Sequence, residues 1–293
     1  MVSIASGKQG VGKSVVASNL GARLASVGQR VVLLDLDGEG AGLARLLGVV
    51  GLEGALAESW GERGRSMCEL VHPIAPGLDL IPGGALCDTD AFAPFDAKRR
   101  LLAELRTLDA DLVIADVGSG SRPHALDFLL ASDVQLLVTI PQLDAVLDAY
   151  SLVKRWTLRT RGGRVRSRAP RRRGFVKLGE ALSALGPDFT GNAAAPSAAT
   201  GPWLVTNRVG PAGDLRLASL CRATRQGLGV RLEELGSVPE DPLIDHAIRS
   251  SLPVVRAYPR SPATHALSRI AARLLTQLAS GSGAVPAAEE VFA

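Results

Sequence analysis

Apolar residues along this chain fall into two kinds of run. The first kind is short and continuous: Val2–Ala5, Val31–Leu34, Asp111–Asp116, Val134–Pro141 and Trp203–Arg208. Apolar runs of this length without polar alternation predict strands buried on both faces, as in a parallel sheet. A weaker run, Leu78–Pro82, predicts an edge strand. The second kind repeats at helical spacing over Val15–Ala25, Asp96–Leu108, Leu143–Trp156, Leu215–Leu228 and Ala263–Ala279. In the last of these, Leu267, Ile270, Leu274, Leu275 and Leu278 mark one face. Leu43–Gly48 and Glu53–Trp60 read as short helices. Strands alternating with helices predict an α/β fold: a doubly wound, mostly parallel sheet with helices on both faces.

The pattern breaks once. Between 159 and 173 the chain carries arginines at 159, 161, 164, 166, 168, 171, 172 and 173, and from Gly186 to Pro202 it turns to Gly, Ala, Pro and Ser. Such ends bury too little apolar surface to offset their ordering entropy, so 159–202 is expected to be a mobile insertion. Residues 1–280 are then one interrupted domain, and 281–293 a disordered tail. Eight arginines in 15 positions can neutralise the phosphates of DNA or anionic lipid, or can simply solvate a linker. The residues leave both readings open.

Composition narrows the class. Apolar residues make up 46% of the 293 positions, enough for a real core, and the formal charge is +4. The cysteines Cys68, Cys87 and Cys221 are far apart, which argues against a disulfide framework, a zinc site or a thiolate-held cluster and predicts a cytoplasmic chain. No charged leader stands before the first strand, and no apolar run approaches the roughly 20 residues of a membrane span. The tail with Glu289 and Glu290 lacks the cations and apolar face of a membrane-targeting helix.

The candidate chemistry begins where the first strand ends. Gly7-Lys8-Gln9-Gly10-Val11-Gly12-Lys13-Ser14 fits a glycine, four residues, then Gly-Lys-Ser, between a predicted strand and a predicted helix. Gly7, Gly10 and Gly12 let backbone N–H groups, Val11's among them, approach phosphate oxygens at a helix N-terminus. Lys13 is expected to reach the β- and γ-phosphates, and the Ser14 hydroxyl to hold Mg²⁺. Strand-end acids follow on the same side of the sheet: Asp35 and Asp37 after the second strand, and Asp116 after another. An acid at such a strand end suits a metal held directly or through water, which makes Asp116 a metal candidate.

These residues resemble the MinD/ParA family of P-loop ATPases. Lys8 falls on the signature lysine of the family's deviant phosphate loop, with Gln9 where glycine is usual. Only five lysines occur in the chain, and two of them stand in this loop. The resemblance implies a nucleotide-dependent homodimer in which Lys8 touches the phosphates bound by the other subunit. It implies that Asp37 orients the attacking water and that Asp35 lies near the metal. Val117-Gly118-Ser119-Gly120 resembles the second switch, with Gly120 approaching the γ-phosphate. Asn207, in Val205-Thr206-Asn207-Arg208, matches the adenine-binding asparagine, and Pro239 and Glu240 match backbone contacts to the base. Asp144–Lys154 and Leu252–Ala263 are similar to the FlhG (FleN) branch, which places flagella. The expectation is an ATPase using ATP and Mg²⁺, hydrolysing slowly as a spatial or assembly switch with an unidentified protein partner. Two alternatives stand beside it: a DNA-binding partition ATPase, and a nucleotide-binding regulator with little hydrolysis.

Overall fold

In the computed structural model, the described residues are 1–37, 42–49, 65–83, 95–119, 123–160, 199–210 and 215–279. The predicted helix Glu53–Trp60, Gly120, the arginines from 161 to 173 and the tail lie outside them.

Among the described residues the chain builds one eight-stranded sheet. Its strands are β1 (Val2–Ser6), β2 (Val31–Asp35), β3 (His72–Ala75), β4 (Leu78–Ile81), β5 (Leu112–Ser119), β6 (Val134–Thr139), β7 (Ala199–Val209) and β8 (Val230–Pro239). They lie in the order β3-β4-β2-β5-β1-β6-β7-β8. Every pairing is parallel except β3 with β4. From β1 the chain winds first toward β2 and later toward β6. The crevice beyond the C-terminal ends of β5, β1 and β6 is therefore the topological switch point, where ligands bind in open α/β sheets.

Alternate residues of each central strand feed two separate cores. On one face Val2, Ile4, Leu33, Ile114, Leu136 and Val205 pack against α1 (Lys13–Ser26), α2 (Gly42–Leu46) and the C-terminal helices. Those are α7 (Pro242–Arg249), α8 (Val254–Ala257) and α9 (Pro262–Ala279), numbered after α6 (Leu215–Ala223). On the other face Ala5, Leu34, Ala115, Leu137 and Leu204 pack against α3 (Phe95–Leu105), α4 (Pro123–Leu130), α5 (Leu143–Thr160) and α6. The doubly wound expectation holds, because buried strands flanked on both sides need apolar residues at every position.

Three expectations are corrected. Leu78–Ile81 is not an edge strand; the short β3 pairs outside it, antiparallel. His72 and Pro73 carry no apolar periodicity, so β3 had no signal. The segment set off at 159 and 202 is also narrower than expected. Helix α5 continues to Thr160, and β7 begins at Ala199, where it pairs with Val230. The small residues there are a packing requirement: a Cβ at Gly201 would stand 2.5 Å from Val230 Cγ1. Finally, Arg159 is not a free member of the arginine cluster. Its guanidinium donates to buried Asp127 at 2.9 Å, beside Lys98 at 2.7 Å, and so joins α5, α4 and α3.

Asp241 is the joint of the C-terminal half. Its Oδ1 accepts from Leu243 N at 3.0 Å as the N-cap of α7, and its Oδ2 accepts from Ala263 N at 3.1 Å in the first turn of α9. Asp241→Ala removes both acceptors and is expected to lower unfolding free energy by about 2 kcal/mol. A shifted urea midpoint with an unchanged denaturant slope would register the loss.

Candidate functional site

The phosphate-type loop is shaped by what packs under it. After β1, Gly7 lies directly on α5: a Cβ there would stand 2.2 Å from the Asp148 carbonyl carbon. Gly10 (φ 75°) and Gly12 (φ 88°) take the left-handed conformation that glycine adopts without a steric penalty. Gln9 is not among the positive-φ residues, so its side chain is compatible with the turn. Ser6 Oγ donates to Lys8 O at 2.8 Å, and Val11 anchors the loop in the core. Gly12 is the N-cap of α1 and supplies no side chain to its first N–H groups. Those donors and the helix dipole face the cleft, an arrangement suited to an anion.

Beside the loop, parallel pairing sets Asp35 of β2 in register with Asp116 of β5. Lys13 reaches between the strand-end acids: its Nζ lies 2.5 Å from Asp116 Oδ1 and 2.7 Å from Asp37 Oδ2. Burial alone would depress the Lys13 pKa, but the charges of Asp116 and Asp37 and their hydrogen bonds outweigh it and hold the ammonium above its ordinary value. The Asp35 carboxyl is pushed up to about 7, chiefly by burial and then by the charge of Asp116. Each of its oxygens accepts a backbone N–H, from Asp37 at 3.1 Å and Leu43 at 3.2 Å. Asp35 thus ties the backbone of Asp37 and of Leu43 to the end of β2.

The site has one polar atom left over. Asp116 Oδ2 is fully buried and has no hydrogen-bond partner among the described residues. A buried acceptor without a donor is costly, and an added cation or its water shell would relieve it. Ser14 Oγ lies 3.5 Å from Lys13 Nζ, so a hydroxyl stands close by. Asp116 and Asp37 share the single ammonium of Lys13, and the raised pKa of Asp35 lowers the negative charge beside them. Among the described residues no group of three His, Cys, Asp or Glu side chains encloses a metal unaided.

A cleft of about 310 Å³ opens over the loop, walled by Gln9, Gly10, Gly12, Lys13, Ser14, Asp37 and others. Several residues singled out from sequence occupy other surroundings. Lys8 pairs with Asp144 of its own chain, at the start of α5. Asn207 is buried and holds the loop itself, its Nδ2 donating to Val11 O at 2.9 Å. Pro239 and Glu240 close the end of β8, with Glu240 N donating to Val209 O at 3.1 Å. At that end Arg208 and Ile248 line the cleft.

Sequence reading missed Gly118 and Arg45. Gly118 has φ 81°, and a Cβ on it would come within 3.0 Å of Asp37 Oδ1. Its signal was the glycine directly beyond an apolar strand and its acid. Arg45 also faces the cleft, and its signal was one helical turn of spacing from Gly42.

A glycine loop capping α1, a lysine from it between strand-end acids, and a cleft at the switch point together make this a P-loop nucleoside-triphosphatase fold. Residues 1–75 match the ParA family model, described as NUBPL iron-transfer P-loop NTPase. The flagellum site-determining protein YlxH of Helicobacter pylori is 33% identical over 160 residues, 52% of each chain. The chain thus spans about half the length of that relative. The antiactivator FleN of Pseudomonas aeruginosa is 26% identical over 279 residues, covering 94% of this chain and 85% of FleN. Among solved structures, the septum site-determining protein MinD complexed with Mg-ADP from Pyrococcus horikoshii superposes with a TM-score of 0.64 at 20% identity, over 96% of this chain and 98% of that one. The chain is thus similar at its N-terminus to the ParA family model and over most of its length to FleN, and it shares the fold of MinD. No helix among its described residues is long and apolar enough to cross a membrane.

Lys13→Ala leaves buried Asp116 facing Asp35 without its cation. The nucleotide-free variant is expected to lose roughly 3–5 kcal/mol of stability, the usual cost of breaking a buried ion pair from one side. Chemical denaturation without Mg²⁺ measures it.

Proposed function

We propose that this chain binds ATP with Mg²⁺, pairs with a second copy while the nucleotide is bound, and hydrolyses it slowly as a spatial or assembly switch. The buried cluster of Lys13, Asp116 and Asp37 carries this reading. Lys13 is held by two carboxylates that have other work in phosphoryl transfer. When a triphosphate enters, Lys13 exchanges them for β- and γ-phosphate oxygens, and the N–H groups of Gly10, Val11 and Gly12 cradle the rest. Asp37, released, accepts a hydrogen bond from a water and orients it toward the terminal phosphorus. Asp116, through its partnerless Oδ2, and Ser14, through Oγ, would hold the metal or its water shell, with Asp35 beside them. Mg²⁺, when bound, neutralises charge that develops on the phosphates. Gly118 gives the backbone close approach at the γ-phosphate end. Asn207 keeps an acceptor, Oδ1, for a base amino group, and the backbone of Pro239 and Glu240 flanks the base.

Lys8 enters as the dimer's contribution. Its pair with Asp144 is partly exposed, with Lys8 at 32% and Asp144 at 38%, so the exchange to another subunit's phosphates costs little. The likeness to YlxH and FleN supports a role in placing or numbering flagella, with a protein partner.

Two outcomes follow. Asp37→Ala is expected to bind ATP yet turn it over at least 100-fold more slowly, in line with loss of a water-orienting group; a wild-type rate in a steady-state phosphate-release assay would overturn the assignment. Light-scattering mass is expected to double when ATP and Mg²⁺ are added to Asp37→Ala protein, and to stay monomeric when Lys8→Ala is added to that background.

A further inference from the structure

The cations around the cleft are of two kinds. Both lysines of the loop are in ion pairs, Lys8 with Asp144 and Lys13 with Asp37 and Asp116. Two arginines, Arg45 and Arg208, line the same cleft and have no hydrogen-bond or ion-pair partner among the described residues. Both are exposed. An unpaired guanidinium at a cleft wall keeps its full set of donors for a ligand.

Each arginine is held by backbone that is itself fixed. Arg45 sits on α2, which Leu43, Ala44 and Leu46 bury against the core and which Leu43 N ties to Asp35. Gly42, one helical turn earlier, packs on Ser14: a Cβ there would lie 3.5 Å from Ser14 Oγ. Residues three apart share a helix face, so Arg45 is presented on the side that meets the loop. The same cleft is also lined by the apolar residues Val15, Leu46 and Ile248. Arg208 comes from the other wall, at the end of β7, with φ 54°. A non-glycine residue in that conformation is strained, and the contacts of Asn207 and Val209 on either side hold it there.

We propose that Arg45 and Arg208 are nucleotide-binding residues that grip the α-phosphate and ribose end of the ligand from opposite walls. The inference rests on the ATPase reading above. The deep end of the cleft already balances Lys13 against carboxylates, so an incoming polyanion first meets these two unpaired charges. They act beyond Ser14, at the part of the ligand that ATP and ADP share. Their removal therefore weakens both nucleotides alike, whereas loss of a γ-phosphate contact would weaken ATP alone.

The test is calorimetric titration of the full chain with ATP and with ADP, each with Mg²⁺, for wild type, Arg45→Ala, Arg45→Lys and Arg208→Asn. Asparagine tolerates the left-handed backbone at 208. Each neutral variant is expected to bind ATP and ADP about tenfold more weakly, the scale of one lost charge-assisted contact. Arg45→Lys is expected to recover part of that loss, and the salt dependence of affinity to flatten in the neutral variants. Melting temperatures of the nucleotide-free variants should stay within about 2 °C of wild type, since exposed side chains without partners contribute little to stability. Wild-type affinity for both nucleotides in Arg45→Ala and Arg208→Asn overturns the proposal, as does a loss confined to ATP. Failure of the wild-type chain itself to bind either nucleotide overturns the ATPase reading instead.

Discussion

A lysine ammonium buried between carboxylates is the constraint on which the rest of this structure turns. Lys13 comes from the first turn of α1, Asp116 from β5 and Asp37 from just past β2. These elements come from distant parts of the sequence, and only parallel pairing in the right register sets both carboxylates within 2.7 Å of the Lys13 ammonium. Neither charge sign is tolerable there alone, because low dielectric penalises an isolated ion heavily. The ammonium that keeps the site together is the group that the proposed ATPase cycle would pass to phosphate. Asp116 Oδ2, left without a donor, gives the exchange a direction, since a cation would satisfy it.

Around this cluster the loop has almost no freedom. Gly7 lies on the backbone of α5 at Asp148, and Gly12 on the amide of Asn207, where a Cβ would approach Nδ2 to 2.2 Å. These two glycines serve close packing, while Gly10, with open space beside it, serves the turn. The loop is therefore wedged between α5 and β7. At its other end α5 is joined through Arg159 and Asp127 to α4, and through Lys98 to α3. A shift of the loop would be felt along that helix, because packed interiors deform little.

Much of the fold was legible from residue order. Continuous apolar runs marked β1, β2, β5 and β6 because these strands are buried on both faces. Elements with other physics were silent: β3, half exposed and antiparallel; the start of β7, where Gly201 and Pro202 stand for a close neighbour; and β8, whose bulges break its alternation. In the site, the loop and the strand-end acids were recognisable because each carries a local signature. Gly118 and Arg45 carry weaker marks, a glycine beyond a strand-end acid and a helical spacing from Gly42, and only the fold gave the contact with Asp37 and the place on the cleft wall.

By itself, then, the order of residues determined the architecture and the chemical kinds at its centre: a glycine loop before a helix, acids after apolar strands, a lysine among them. Which partner each group holds was decided only by the folded chain. Lys8 lies on Asp144, Asn207 on the loop carbonyl of Val11, Arg159 on Asp127, and Arg45 and Arg208 have no partner among the described residues. Local patterns arise from backbone geometry and solvent, which act over a few residues. Ion pairs and hydrogen bonds form between groups brought together by sheet register and helix packing, and that proximity is a property of three dimensions.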